Sequence, residues 1–430
     1  MSSFFKKWFQ ESVFDSSSDE ELEEMLIFQA EQQRLERMRA SASRTPRLYI
    51  DRGFIEGHNR LFNDYFAENP VYPHDRFRRR FRMGHDLFLR IQSALEAHEP
   101  YFQQKMDAAG KLGLSSLQKI TAALRMLAYG VFADLLDEYV QIGESTAVLS
   151  MKKFVKTVIS VFGNEYLRSP NSDDVARLLA IGESRGFPGT LGSIDCMHWK
   201  WKNCPTAWKG QFTGHIHEPT LILEAIASYD LWIWHAFFGL PGSHNDINVS
   251  DRSFVFSDLT QGRFPPVHYY VNDHHYSMGY YLADGIYPSW ATFVKTIPMP
   301  QTNKARHFKR MQESCRKDVE RAFGVLQARF AIVRGPARYF KRSTLHDIML
   351  ACIILHNMIV EDERHLHVQP DITDMYDQAE DGPPTPVLEH LRTREFQDFV
   401  NRYIRIQDRE IHTQLQADLV EHLWNINSNA

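Results

Sequence analysis

Two aspartates and one glutamate stand where the local pattern gives little reason for charge. Asp195 ends the apolar run Thr190-Leu-Gly-Ser-Ile. Asp284 ends Tyr280-Tyr-Leu-Ala and is followed by Gly285, which frees the chain to turn. Glu320 lies in Asp318-Val-Glu-Arg-Ala-Phe-Gly-Val-Leu-Gln-Ala-Arg-Phe330. There Val319, Phe323 and Leu326 form an apolar stripe, while Glu313, Arg316, Glu320 and Gln327 share another face at helical steps. Two strand ends and one helix would then present an all-oxygen site, the donor set of Mg²⁺ or Mn²⁺. Two such ions roughly 3.5–4 Å apart activate a water and stabilise the leaving oxygen in phosphodiester displacement. Carboxylates suit this role because hard cations prefer oxygen and the transition state gathers negative charge. An acid at a strand end also serves as a helix cap or an ion-pair partner, so the order strand, strand, helix says more than any one acid. A fourth acid, Asp246 in Pro241-Gly-Ser-His-Asn-Asp, ligates metal, positions DNA or caps a helix at Ile247.

Cations crowd the same stretch. Lys304, Arg306, Lys309, Arg310, Arg316, Lys317 and Arg321, then Arg334, Arg338, Lys341 and Arg342, would neutralise phosphates beside a scissile bond or form a solvated basic face. Trp199, Trp201, Lys202 and Trp208 interleave aromatic and basic residues just after Asp195. They either stack on an unpaired base or pack the core. His198 orients a metal-bound water or a phosphate, or is hydrogen-bonded near its strand end. His215, His217, His244, His274 and His275 invite a zinc reading, but no Cys-x-x-Cys accompanies them and Cys196 and Cys204 lack a partner pair.

The whole chain, 430 residues with a net charge of −5, at face value argues against a nucleic-acid ligand. The sum hides segregation: residues 1–40 carry −4, Lys295–Arg342 carries +10 and Glu361–Ala430 carries −9. An acidic tail cancels a basic working surface in the total. The most apolar stretches, Ile348–Val360 and Pro219–Leu240, are interrupted by His, Glu or Asp and do not read as membrane spans. Met1–Gln10 lacks the apolar segment of a secretory signal. Four cysteines in a chain of this length make no disulfide framework, and the expectation is a reducing compartment.

The elements that must carry these residues follow from periodicity. An acidic arm occupies 1–45, with a helix through Arg39 capped by Ser18 or Asp19. Residues 58–168 read as all-helical, with Phe77, Phe81, Phe88, Ile91 and Leu95 on one face of Arg76–Ala97, continued by Leu117–Ala128. Arg76, Arg78, Arg79, Arg80 and Arg82 bind phosphate or an importin, or form an exposed face. Helices at Ala133–Val140 and Thr146–Phe162, joined by a Gly143 turn and a Ser145 cap, fit a helix-turn-helix or an ordinary hairpin. In the first case Lys152, Lys153 and Lys156 lie along DNA. Within 187–360, strands at Gly189–Trp201, Pro219–Tyr229 and Leu231–Gly239 are followed by a helix at Ile247–Leu259 and a strand at Tyr280–Ala283. The Ser228-Tyr-Asp230 turn makes the second and third strands an antiparallel hairpin. Helices at Lys309–Phe330 and Leu345–Val360 complete a mixed α/β domain. From 361 to 430 an acidic loop leads to a terminal helix from about Val387 to Arg409.

At these residues the chain resembles the PIF/Harbinger-type transposases, in particular those of the Ping/Pong-like plant elements. The matching text is Gly192-Ser-Ile-Asp-Cys-Met-His198, Pro241-Gly-Ser-His-Asn-Asp246, Ala283-Asp-Gly-Ile-Tyr-Pro288, Val319-Glu-Arg-Ala-Phe-Gly-Val-Leu-Gln-Ala-Arg-Phe330 and Leu355-His-Asn-Met358. Between Asp284 and Glu320 lie 35 residues, the separation many such enzymes share. The resemblance covers most of residues 60–360. It implies an RNase H-like catalytic domain with a DDE triad, Asp195, Asp284 and Glu320, holding two divalent ions, Mg²⁺ or Mn²⁺. It further implies cleavage and joining of DNA at element ends, and a separate Myb-like DNA-binding partner. In such a fold the first acid sits on the first strand and the second on the fourth, which favours Asp284 over Asp246. The expected protein is a nuclear DNA transposase, with a homodimer suited to paired ends and no membrane. The alternatives are a domesticated descendant that no longer transposes, and a non-catalytic scaffold.

Overall fold

The computed structural model describes residues 50–108, 110–214, 216–243, 264–364 and 405–429. The arm at 1–45, His215, His244, Asp246 with the helix expected after it, the acidic loop and most of the helix expected at 387–409 lie outside those residues. The chain divides into Met1–Asp51 and Arg52–Ala430, and every described helix and strand belongs to the second unit.

The all-helical expectation holds for the first half of this unit, with altered boundaries. Its helices are α1 (Phe54–Tyr65), α2 (His74–Phe81), α3 (His85–His98), α4 (Ser116–Tyr129), α5 (Glu144–Tyr166) and α6 (Ser172–Ser184). The five apolar residues picked from Arg76–Ala97 are all buried. They sit on two helices, because Arg82 turns the chain through a left-handed φ of 65°. Ser115 and Gln118 close a capping box on α4, and Asn171 and Asp174 close another on α6.

The segment before α5 is one 3₁₀ turn, Ala133–Leu136, and one α turn, Asp137–Val140. The cap of α5 is Gly143, and Ser145 lies inside its first turn. This helix buries Ala147, Met151, Phe154, Val155, Val158 and Phe162 and packs on α4 and on α9 (Arg342–Arg364). Lys153 pairs with Glu99 at 3.3 Å, Lys152 faces the Tyr339 ring, and Lys156 is exposed.

A five-stranded mixed sheet is the centre of the second half. Its strands are β1 (Thr190–Lys200), β2 (Thr220–Ala227), β3 (Ile233–Pro241), β6 (Tyr280–Ala283) and β7 (Phe293–Lys295), in the order β3-β2-β1-β6-β7. A separate hairpin of β4 (Tyr269–Val271) and β5 (His274–Tyr276) precedes β6. β1, β2 and β3 pair antiparallel, whereas β1, β6 and β7 run parallel. The Ser228–Asp230 turn closes as expected, with Leu231 N donating to Ser228 O at 2.9 Å. Gly192 sits at a register shift of β1 with φ 139°, where a Cβ would stand 2.6 Å from the Ala227 carbonyl. Only glycine fits there, which accounts for its place in Gly192-Ser-Ile-Asp.

Helices α7 (Asn303–Arg316), α8 (Asp318–Arg329) and α9 follow. The continuous helix expected at 309–330 is broken at Lys317. α9 is buried along most of its length, and two of its polar side chains staple the halves of the molecule together. Asn357 accepts from Ile233 N and donates to Ile233 O and Tyr166 O, at 2.9, 2.8 and 2.7 Å. The His356 ring bonds the Leu231 carbonyl at 2.8 Å and meets Arg329 at 3.1 Å. So Leu355-His-Asn-Met358 fastens α9 to β3 and α5. Last comes α10 (Arg409–Asn429), which sequence reading missed. Its buried Leu415, Leu419 and Leu423, four residues apart, lie on α7, β4 and β7.

Candidate active site

Asp195 lies in the middle of β1, opposite Ala225 of β2. Ser193, two residues earlier and so on the same face, donates to the carbonyl of Cys315 at 3.0 Å. Met197, two residues later, receives the Gln327 amide at 3.0 Å. The end of α7 and the length of α8 therefore lie across the face of β1 that carries Asp195, and Glu320 is brought over it in the first turn of α8.

Asp284 directly follows β6, a strand that pairs with β1. Ser193 and Leu282 are partners in the parallel β1–β6 ladder. Two residues past that pair come Asp195, still within β1, and Asp284, which directly follows β6. Asp284 follows the fourth strand of the main sheet, as expected. Each aspartate accepts a local backbone bond, Asp195 from Cys196 N at 2.8 Å and Asp284 from Gly285 N at 2.6 Å. These bonds fix one oxygen of each carboxylate.

Arg316 stands between the first acid and the third. Its Nη1 lies 3.5 Å from Asp195 Oδ2 and 3.0 Å from Glu320 Oε1, so those two oxygens are no more than 6.5 Å apart. The Arg316 side chain is 15% exposed, and its Nε is buried with no hydrogen-bond partner. Among the described residues no three His, Cys, Asp or Glu side chains are grouped to hold a metal ion. The donor set is nonetheless all oxygen and suits a hard divalent cation. The position between two of its members is taken by a charged nitrogen.

Gln312 was not singled out from the sequence, although it positions the site. It is fully buried and donates to Ala283 O and Val294 O, both at 3.0 Å. One amide thus ties α7 to the ends of β6 and β7, a single peptide away from Asp284. On β7, burial and the nearby Arg409 lower the Lys295 ammonium below its ordinary value. Beside the start of α8, buried Asp318 pairs with Arg185 and with Arg321 at 2.9 Å, and both guanidiniums lie against the Tyr229 ring.

The expected DNA-contacting cations fall into two groups. Arg306, Arg310, Lys317 and Arg321 are exposed on α7, its end and α8. Lys304 is paired with Glu421 at 2.5 Å, and Lys309 lies 3.7 Å from Glu313. Trp199 and Trp201 correct the base-stacking expectation. They are 3% and 1% exposed, and their ring N–H groups donate to Gly335 O at 2.7 Å and Tyr339 O at 3.0 Å. Both indoles are core and present no face to a base. His198 bonds Thr220 Oγ1 at 3.0 Å, on the face of β1 opposite Asp195. His274 bonds Asp418 at 2.8 Å, which fastens the hairpin to α10.

Residues 164–367 match the family model described as a plant transposon protein, and residues 57–96 match a domain of unknown function. "Protein ALP1-like" of Arabidopsis thaliana is 23% identical over 325 residues, 74% of this chain and 73% of its own length. "Putative nuclease HARBI1" is 21% identical in Homo sapiens and 22% in Bos taurus, each over 290 residues, 65% of this chain and 76% of theirs. No solved structure matches. The plant transposon match runs from the end of α5 past α9 and takes in Asp195, Asp284, Glu320 and the α9 staple, and with these relatives it supports a likeness to the PIF/Harbinger-type DDE transposases.

Proposed function

We propose that the chain is a DNA transposase of RNase H-like fold, an endonuclease that cleaves phosphodiester bonds at transposon ends and joins the freed 3′-hydroxyl to target DNA. The observation that supports this reading is the β1–β6 pairing, which ends two residues short of Asp195 and Asp284, together with the Arg316 side chain shared by Asp195 and Glu320. Three antiparallel strands followed by two parallel to the first support the fold assignment. Asp195, Asp284 and Glu320 would hold two Mg²⁺ or Mn²⁺ ions. When bound, such ions supply a water nucleophile near neutral pH and offset the charge gathering on the phosphate.

The chain's own residues do the rest. Cys196 N–H and Gly285 N–H aim the aspartates, and Gln312 holds the strand ends in register. Exposed Arg306, Arg310, Lys317 and Arg321 would take the phosphates flanking the cut. Hydrolysis leaves a 3′-hydroxyl, which then attacks a target phosphodiester. Because α5 is a core helix, end recognition is assigned to a separate Myb-like chain, with action in the nucleus and a homodimer for paired ends.

The test is nicking of duplex DNA carrying the ends of the encoding element, with Mg²⁺, for wild type, Asp195→Asn, Asp284→Asn and Glu320→Gln. Loss of at least about 10²-fold in each variant is expected, in line with removal of one group that stabilises transition-state charge. Unchanged cutting in all three refutes the assignment. A cut lost in Asp246→Asn but kept in Asp284→Asn moves the second acid. Cleavage without joining marks a domesticated nuclease.

A further inference from the structure

We infer that Arg316 is a resident cation of the acidic site, one that a divalent ion must displace, so that this side chain sets how tightly the site takes metal. The inference rests on the metal-binding reading of Asp195, Asp284 and Glu320. Two carboxylates within 6.5 Å of each other repel unless a positive charge lies between them, and a single guanidinium nitrogen supplies it, 3.5 Å from one and 3.0 Å from the other. A divalent ion seeks the same oxygens. The two cations cannot share the position, because bringing both in adds like-charge repulsion at short range.

The way Arg316 is held marks it as displaceable. Strong arginine–carboxylate pairs use two parallel N–H groups. Arg329, elsewhere in the chain, spreads its contacts over the His356 ring, the His356 carbonyl and Glu363 through two nitrogens. Arg316 instead makes both ion pairs through Nη1, the one to Asp195 long, while Nε is buried without a partner. It is also the last residue of α7, next to the break at Lys317, so its backbone stands at a joint between helices.

The experiment is Mn²⁺ titration of the full chain by calorimetry, comparing wild type, Arg316→Gln, Arg316→Lys, Asp195→Asn and a control, Lys200→Gln, which removes a cation from the same strand. Removing a charge in contact with the carboxylates is expected to tighten Asp195-dependent Mn²⁺ binding by about tenfold or more in Arg316→Gln, with a smaller gain in Arg316→Lys. Lys200→Gln should bind as wild type does. Asp195-dependent binding that Arg316→Gln leaves unchanged or weakens overturns the role of Arg316 alone. Binding that ignores Asp195 in both wild type and Arg316→Gln overturns the metal site and this inference with it. A second measurement needs no variant: Mg²⁺ should increase phenylglyoxal modification of Arg316 in the wild-type chain, read by mass spectrometry, and leave Arg168 unchanged. Modification of Arg316 that stays constant or falls with Mg²⁺ also refutes displacement.

Discussion

Gln312 shows how much of a site can rest on a side chain that does no chemistry. Its amide hydrogens satisfy the carbonyls of Ala283 and Val294, and these belong to strands only four and three residues long. Replacing it with leucine removes one hydrogen bond from each carbonyl. The expected cost is about 1 kcal/mol per lost hydrogen bond, measured as a lower urea midpoint. Nicking should fall further than stability does, because Asp284 adjoins the released carbonyl. An unchanged midpoint would show that the strand ends are held by other means. The three acids were legible in the sequence because charge broke an apolar run or shared a helix face. Gln312 was not, since a buried glutamine in a charged helix reads as one more polar residue. The Arg316–Glu320 spacing was visible, but no sequence pattern says that the same guanidinium reaches back to β1.

Elements were legible in proportion to their length. β1, β2, β3 and β6 were placed to within a few residues, whereas β4, β5 and β7 have three residues each, too few for any alternation to register. The break at Lys317 leaves apolar periodicity almost intact on both sides, so one helix was expected where there are two. The helix-turn-helix expectation weighed three lysines but not the opposite face of α5, which packs against α4 and α9. α9 has the length and hydropathy of a membrane span, yet 78% of its most apolar window is buried in the protein. The buried one of its two histidines yields a prediction. Burial, with Arg329 beside it, pushes the His356 imidazole down to about 3 from its ordinary value of 6.5. The unfolded chain therefore binds a proton near pH 6.5 that the folded chain refuses. Stability is full above pH 6.5 and falls on acidification toward pH 3, by about 1.4 kcal/mol per unit from this group. His356→Gln should lower stability at pH 7 and flatten that acid slope in denaturant titrations. A slope of wild-type steepness in the variant would assign acid sensitivity elsewhere.

For the whole molecule, the net charge of −5 describes no surface that a ligand would meet. The +10 stretch contains α7, α8 and the start of α9, and α10, from the acidic end, lies on α7 with Glu421 on Lys304. Binding to duplex DNA should therefore weaken steeply with salt despite an acidic sequence. Replacing both Arg306 and Arg310 with glutamine should reduce the log–log salt slope by roughly one per residue, with little change in fold. A slope that the double replacement leaves untouched would move the phosphate path off α7. The contact between Arg316 and Asp195 spans 121 positions of sequence, and the one between Asn357 and Tyr166 spans 191. As the chain leaves the ribosome, α1 to α5 find many of their partners early. β1 must wait, with one edge open, until β6 and then α7 have been made. A nascent chain stalled near residue 280 would carry an unpaired strand edge and an unmatched carboxylate, which makes that interval of synthesis the one most in need of a chaperone.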